Sequence, residues 1–198
     1  MKLFDNPASP FCRKVKVLAL ETGQFENIEL VAAGGSPVAS DNMPTDLNPL
    51  GKIPTLVTSE GAALFDSSVI CQFLDAQAGT QFYPQDTRVQ TLVREAAADG
   101  LMDAAVLMVY EARCRPEEIR STDWVEAQWT KVIRALDMFE NASVPSSLDM
   151  GQIALGCALG YLDFRHPDRD WRGGREKLAA WYDMFSARPS MQKTIPQG

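Results

Sequence analysis

A hydroxyl, a strip of free backbone and a carboxylate beside a second hydroxyl are the groups in this chain whose types and spacing could do chemistry. Ser9 stands just before Pro10-Phe11-Cys12-Arg13. Serine is a natural N-cap and proline a natural first helical residue, so the Ser9 oxygen belongs at a helix start. Further on, Leu47-Asn-Pro-Leu-Gly-Lys-Ile-Pro-Thr-Leu56 sets a turn before an Ile53-Pro54 bond that opens an apolar strand. Proline removes a strand donor and holds the preceding residue extended, so Ile53 presents its own N–H and C=O to an extended partner. The bond takes the cis form at modest cost, and an ordinary trans turn into an edge strand is the alternative. Ala62-Ala63-Leu64-Phe65 then runs into Asp66-Ser67-Ser68 and an apolar-periodic stretch from Val69 to Leu74, the pattern of strand, cap and helix.

Several elements must position these groups. Lys2-Leu3-Phe4 is a short strand, and Phe11, Val15, Leu18 and Thr22 share one face of the helix that Ser9 caps. Residues 1–79 alternate strand and helix signals. Gly79 closes the helix begun at Asp66, and Pro84 with Asp86 marks a connector over residues 80–86. Residues 87–198 carry only helical signals, over about 87–114, 122–141, 148–164 and 174–187, with Pro116, Pro145, Gly173 and Pro189 as punctuation. Ser146 and Asp149 have capping-box spacing ahead of an apolar run, which should start that helix. Glu95, Asp99 and Asp103 recur at intervals of four on the first long helix, the pattern of a solvated face. Small residues from Ala96 to Ala98 and Gly100 would admit a neighbouring helix. The fold class is α/β followed by all-α.

The 198 residues are 45% hydrophobic, ordinary for a globular chain, and carry a formal charge of −7. That charge argues against a nucleic-acid or anionic-membrane surface and for a small ligand. No charged n-region with an apolar stretch follows Met1, and the longest mostly apolar run, Ile153 to Leu162, is too short to span a bilayer. A soluble, cytoplasmic protein is expected. Cys12, Cys71, Cys114 and Cys157 are scattered without the spacing of a zinc site or disulfide framework, and the single histidine, His166, sits in a polar turn and should be solvated. No metal is expected.

Taken in order, Ser9-Pro-Phe-Cys-Arg13, Asn48-Pro-Leu-Gly-Lys-Ile-Pro54, Phe65-Asp-Ser67 and Ala187-Arg-Pro-Ser190 make the sequence resemble the glutathione S-transferase superfamily over nearly its whole length. The resemblance implies a thioredoxin-like N-terminal domain joined to an all-helical C-terminal domain, a homodimer, and glutathione bound on the first domain. It implies an enzyme that presents the glutathione thiolate to a small hydrophobic electrophile. A free thiol has a pKa near 8.5, and lowering it by two units takes about 2.7 kcal/mol of preference for the anion. A hydrogen bond to a charged group contributes about 1.5–3 kcal/mol and a helix N-terminus about 0.3–2. Ser9 donating to the sulfur, with the amides that follow Pro10, suffices without a strong base, and a pure N-cap is its alternative role.

The resemblance also implies that Asp66 takes the γ-glutamyl amine and Ser67 the adjoining carboxylate, although glutamate is commoner where Asp66 stands. Ile53, ahead of Pro54, pairs with the cysteinyl backbone, Lys52 meets the glycyl carboxylate, Phe11 lies against the tripeptide, and Asp99 adds negative charge near the amine. Pro10, Phe11, Met102, Met108 and Tyr110 border the electrophile. Ser9-Pro-Phe-Cys12 also looks like a glutaredoxin Cys-Pro-Phe-Cys whose first sulfur is replaced by oxygen. Cys12 is expected to be structural; a disulfide reductase using it, and a transferase-like binding or regulatory protein without turnover, are the alternatives.

Overall fold

The computed structural model describes residues 1–143 and 145–198. Strand β1 (Lys2–Asp5) lies at the centre of a four-stranded sheet ordered β2-β1-β3-β4, with β2 (Glu29–Ala32), β3 (Thr55–Val57) and β4 (Ala63–Leu64). β1 and β2 run parallel, while β1 with β3 and β3 with β4 run antiparallel, so Phe4 stands opposite both Val31 and Thr55. The parallel pair needs a crossover, which helix α1 (Pro10–Glu21) supplies. β2 carries no strong strand signal in the sequence; it is a short, largely exposed edge.

Helix α1 is buried on nearly every side, because α2 (Ser67–Ala78) covers one flank and the C-terminal helices α5 and α7 cover another. Gly79 ends α2 in the left-handed conformation at φ 66°, where a side chain would be strained. The remainder is helical: α3 (Arg88–Cys114), α4 (Thr122–Asn141), α5 (Met150–Arg165), α6 (Glu176–Ser186) and α7 (Pro189–Lys193). α3 packs along α4 and α5, and α5 is buried from Met150 to Leu162, as its unbroken apolar run requires. These two layers are the thioredoxin-like sheet domain and the all-helical domain.

Two ends differ from the sequence expectation. α5 starts one residue past Asp149, whose Oδ1 accepts from the Gln152 amide at 3.0 Å, so Asp149 rather than Ser146 is the cap. Pro189 follows the end of α6, as expected, but also opens α7, a helix the sequence reading did not include, at its first position, where a missing N–H costs nothing. Among the described residues no helix is long and apolar enough to cross a membrane.

Candidate functional site

Ser9 caps α1 from an extended conformation (φ −81°, ψ 122°), and its Oγ accepts from the Cys12 amide at 3.2 Å. That bond occupies a lone pair and leaves the hydroxyl proton free to donate, so a cap and a donor to an outside group would use different parts of one hydroxyl. The preceding loop is held by Asn6, whose Oδ1 accepts from Ala8 N at 2.9 Å and whose Nδ2 donates to Ala33 O at 3.2 Å. Ser9 N donates to Asn6 O at 2.9 Å. Asn6 was not singled out from the sequence; an asparagine before proline, three residues ahead of a cap, is the signal.

The Ile53-Pro54 bond is cis, as is Phe65-Asp66. Among the described residues neither the N–H nor the C=O of Ile53 has a hydrogen-bond partner, the free edge that the motif implies. Asn48, buried in the turn, donates through Nδ2 to Lys52 O at 2.9 Å and to Thr55 Oγ1 at 3.3 Å, and accepts from Leu50 N at 3.0 Å. Thr55 Oγ1 also donates to Lys52 O at 3.1 Å. Two buried side chains thus fix the backbone on which Ile53 is displayed.

Asp66 caps α2. Its Oδ1 accepts from the Ser68 amide at 3.1 Å, the Val69 amide at 3.4 Å and the Ser68 hydroxyl at 2.7 Å, leaving Oδ2 unengaged among the described residues. Burial pushes the Asp66 carboxyl up, but the Ser68 and Val69 bonds and the Lys14 charge outweigh it and hold the group below the usual range. Ser67, the first helical residue, is buried, and its hydroxyl has no hydrogen-bond partner among the described residues.

The solvated-face expectation for Glu95 and Asp99 is corrected. Lys14 of α1 is fully buried and donates to Glu95 Oε1 at 3.0 Å and to both Asp99 oxygens at 2.7 Å, while the Tyr83 hydroxyl donates to Glu95 Oε2 at 2.9 Å. Asp103 alone of the three faces solvent. Burial opposes the Lys14 charge, yet Asp99 and Glu95 keep the ammonium above its ordinary range. Burial lifts the Asp99 carboxyl to about 6 against the pull of Lys14, with Glu95 and Asp66 adding to the lift. The charges of Asp66 and Lys52 both act on Asp103, so α3 borders the same region as the Lys52 turn and the start of α2. Lys14 was missed, although Arg13, Lys14 and Lys16 within an otherwise apolar helix pointed to buried cations.

Phe11 is half-buried beside Ser9, and Pro10 is buried under the turn. Met102 and Met108, expected to border the electrophile, are 0% and 5% exposed and pack in the helical core instead. Tyr110 is half-buried on α3. Cys12 is fully buried; desolvation, with Asp5 adding, pushes its thiol up to about 12 despite the Ser9 contact, so it stays protonated and inert. His166 is not solvated: its Nε2 lies 3.0 Å from Ala105 O, between Trp129 and Tyr161, and burial lowers its pKa.

Residues 8–77 match the family described as glutathione S-transferase, N-terminal domain, and residues 122–183 match glutathione S-transferase, C-terminal domain. The uncharacterized GST-like protein YibF of Escherichia coli is 37% identical over 99% of this chain and 98% of its own. A glutathione transferase family member from Pseudomonas fluorescens Pf-5, solved with bound glutathione, is 46% identical over 100% of this chain and 99% of its own, with a TM-score of 0.96. A Pseudomonas fluorescens Pf-5 family member with bound S-(propanoic acid)-glutathione is 45% identical over 100% of both chains, with a TM-score of 0.91. Both halves match in order and the likeness runs end to end, so the chain belongs to the glutathione S-transferase superfamily.

Proposed function

We propose that this protein is a glutathione transferase that ionises the thiol of glutathione over the first turn of α1 and joins its sulfur to a small electrophile. The observation that carries this is Ser9: its oxygen is spent on the Cys12 amide while its proton remains free, at the start of a twelve-residue helix. A sulfur above that turn receives one charged hydrogen bond and the positive end of the helix. Ile53 offers a free backbone edge for the cysteinyl unit, and Asp66 with Ser67 offers an ionised carboxylate and a free hydroxyl for the γ-glutamyl end. Lys52 faces the glycyl carboxylate, and Asp99, tied to Lys14, adds charge near the amine. Phe11, Pro54 and Tyr110 complete the walls. In the reaction the sulfur bonds to the electrophilic carbon, the leaving group departs with its electron pair, and the thiol proton passes to water. The relatives solved with glutathione and with S-(propanoic acid)-glutathione support this assignment.

A homodimer formed through α3 belongs to the same reading. Val89 and Val93 are 69% and 56% exposed, and Ala96 and Gly100 continue their stripe on that helix. A reducing, cytoplasmic setting fits four free cysteines, three of them buried.

Ser9→Ala tests the assignment. Loss of one hydrogen bond to a charged sulfur should lower kcat/KM by about 10- to 100-fold with little change in glutathione KM. The thiolate absorbance of the bound tripeptide should titrate about one to two pH units higher. A variant with wild-type rate and unaltered thiol acidity would overturn it.

A further inference from the structure

Beside Tyr110, already counted among the walls of the site, the C-terminal domain carries Arg113, Tyr161 and Arg165, which have no role in the account above. Tyr110 and Arg113 are three apart on α3, and Tyr161 and Arg165 four apart on α5, so each pair shares a helix face. α3 packs along α5, with His166 Nε2 3.0 Å from Ala105 O and the Tyr161 ring against His166, so the two pairs lie on neighbouring helices, and the charges of Arg113 and Arg165 both act on Tyr161.

Their location is set by the tail. Arg165 Nη1 donates to Gly198 O at 3.4 Å, Gln197 N donates to Pro7 O at 3.4 Å, and a Cβ on Gly198 would lie 3.4 Å from Ala8 Cβ and 3.6 Å from Arg165 Nη2. The tail thus links Arg165 to the Pro7-Ala8 segment that precedes Ser9.

In a chain with 26 acids and 19 Lys and Arg, neither Arg113 nor Arg165 forms an ion pair among the described residues. The Arg165 guanidinium lies over the Phe164 ring at 4.0 Å, which orients it; Nη1 donates to Gly198 O, while Nε and Nη2 have no hydrogen-bond partner among the described residues, and Arg113 is exposed. Burial pushes the Tyr161 hydroxyl up to about 12, against the pull of both arginines, so it keeps its proton beneath them. Half-buried Phe11, Val106 and Val109 continue the region as apolar wall. A purely apolar electrophile gives such a surface nothing to pair with.

We propose that the electrophile side of this site takes a short electrophile that carries a carboxylate, with Arg165 and Arg113 as its counter-ions and Tyr110 as a hydroxyl donor. This rests on the transferase reading and names its substrate class. Guanidinium binds carboxylate through paired donors, and the aromatic and aliphatic wall holds the few carbons between that carboxylate and the reacting centre. With a 2-halo acid the glutathione sulfur bonds to carbon 2, the carbon–halogen bond breaks, halide leaves with the electron pair, and the thiol proton has passed to water. No oxidant or reductant enters.

Two measurements test this. Calorimetric titration compares S-(1-carboxyethyl)glutathione, the thioether that 2-bromopropanoate yields, with S-isopropylglutathione, and initial rates compare 2-bromopropanoate with its methyl ester, each divided by the uncatalysed rate. The acid thioether should bind about tenfold more tightly, and the acid should gain about tenfold over the ester in relative rate. Arg165→Met should pull both ratios toward one, and Arg165→Lys should restore part of them. If Arg165→Met is unfolded by circular dichroism, Arg113→Gln carries the same expectation. Equal binding of the two thioethers, or ratios that survive both substitutions, would sink the proposal. Turnover of the ester without preference for the acid rejects the subsite and leaves the transferase standing. Preference for the acid thioether without turnover of either bromide does the reverse, and binding of neither thioether removes both.

Discussion

Lys14 is the side chain whose placement most constrains this molecule. A fully buried ammonium persists only when matched, and here Glu95 and Asp99 share it while Tyr83 takes the spare Glu95 oxygen. Removing one partner of such a cluster leaves like charges stranded together, which costs about 3–5 kcal/mol. Lys14→Met should therefore lower the urea midpoint by that equivalent, and adding Glu95→Gln with Asp99→Asn should recover most of it. An unchanged midpoint in the single variant would show that the cluster is not ionised. The site was unevenly legible in the sequence for a related reason. Ser9, Ile53, Asp66 and Ser67 could be placed because capping and X-Pro geometry are local chemistry, decided by adjacent residues. Lys14, Glu95, Asn6 and Asn48 were harder, because local pattern only hints at burial and the distant element that packs over a side chain decides it. Met102 and Met108 show the converse, since helical spacing suits a core and a pocket wall alike.

At the level of elements, the motif Ala187-Arg-Pro-Ser190 is a dock for the first helix. Glu21, at the end of α1, accepts from Arg188 at 2.9 and 3.1 Å and from the Ser190 hydroxyl at 2.5 Å, joining residues from opposite ends of the chain. Burial raises the Glu21 carboxyl, but the Arg188 and Ser190 bonds prevail and hold it below its ordinary value. A carboxylate depressed in the folded state contributes stability above its unfolded pKa and loses it as pH falls through the folded one. Glu21→Gln should thus cost about 1 kcal/mol at pH 7, a figure kept small because Arg188 is partly exposed. The difference from wild type should vanish once the pH lies below the depressed value, and chemical denaturation at a series of pH values measures it. A gap that persists undiminished in acid would assign the effect to packing. The long helices were readable because α3, α4 and α5 each carry several turns of periodicity between clear breaks. β2 and α7, of four and five residues, hold too few residues to show a period and owe their form to what they pair with.

Viewed whole, the chain leaves an apolar stripe on α3 uncovered, and the Arg88 to Gln72 hydrogen bond of 2.5 Å draws α2, with its exposed Val69, alongside. Val93→Glu, placing a charge in that stripe, should convert a dimer to a monomer in sedimentation with helix content unchanged; a monomeric wild type would reject the interface outright. The layer order was legible from the switch between alternating and purely helical signals, whereas the way the layers lock together was not. That locking appears most plainly at Arg13, a guanidinium buried in the first helix without any carboxylate. It donates to Thr194 Oγ1 at 3.3 Å and to Met191 O at 3.1 Å, contacts made 181 and 178 residues later. Water solvates that guanidinium until α1 is covered, so the partners that replace water at Arg13 become available only once residues 191–194 have been synthesised.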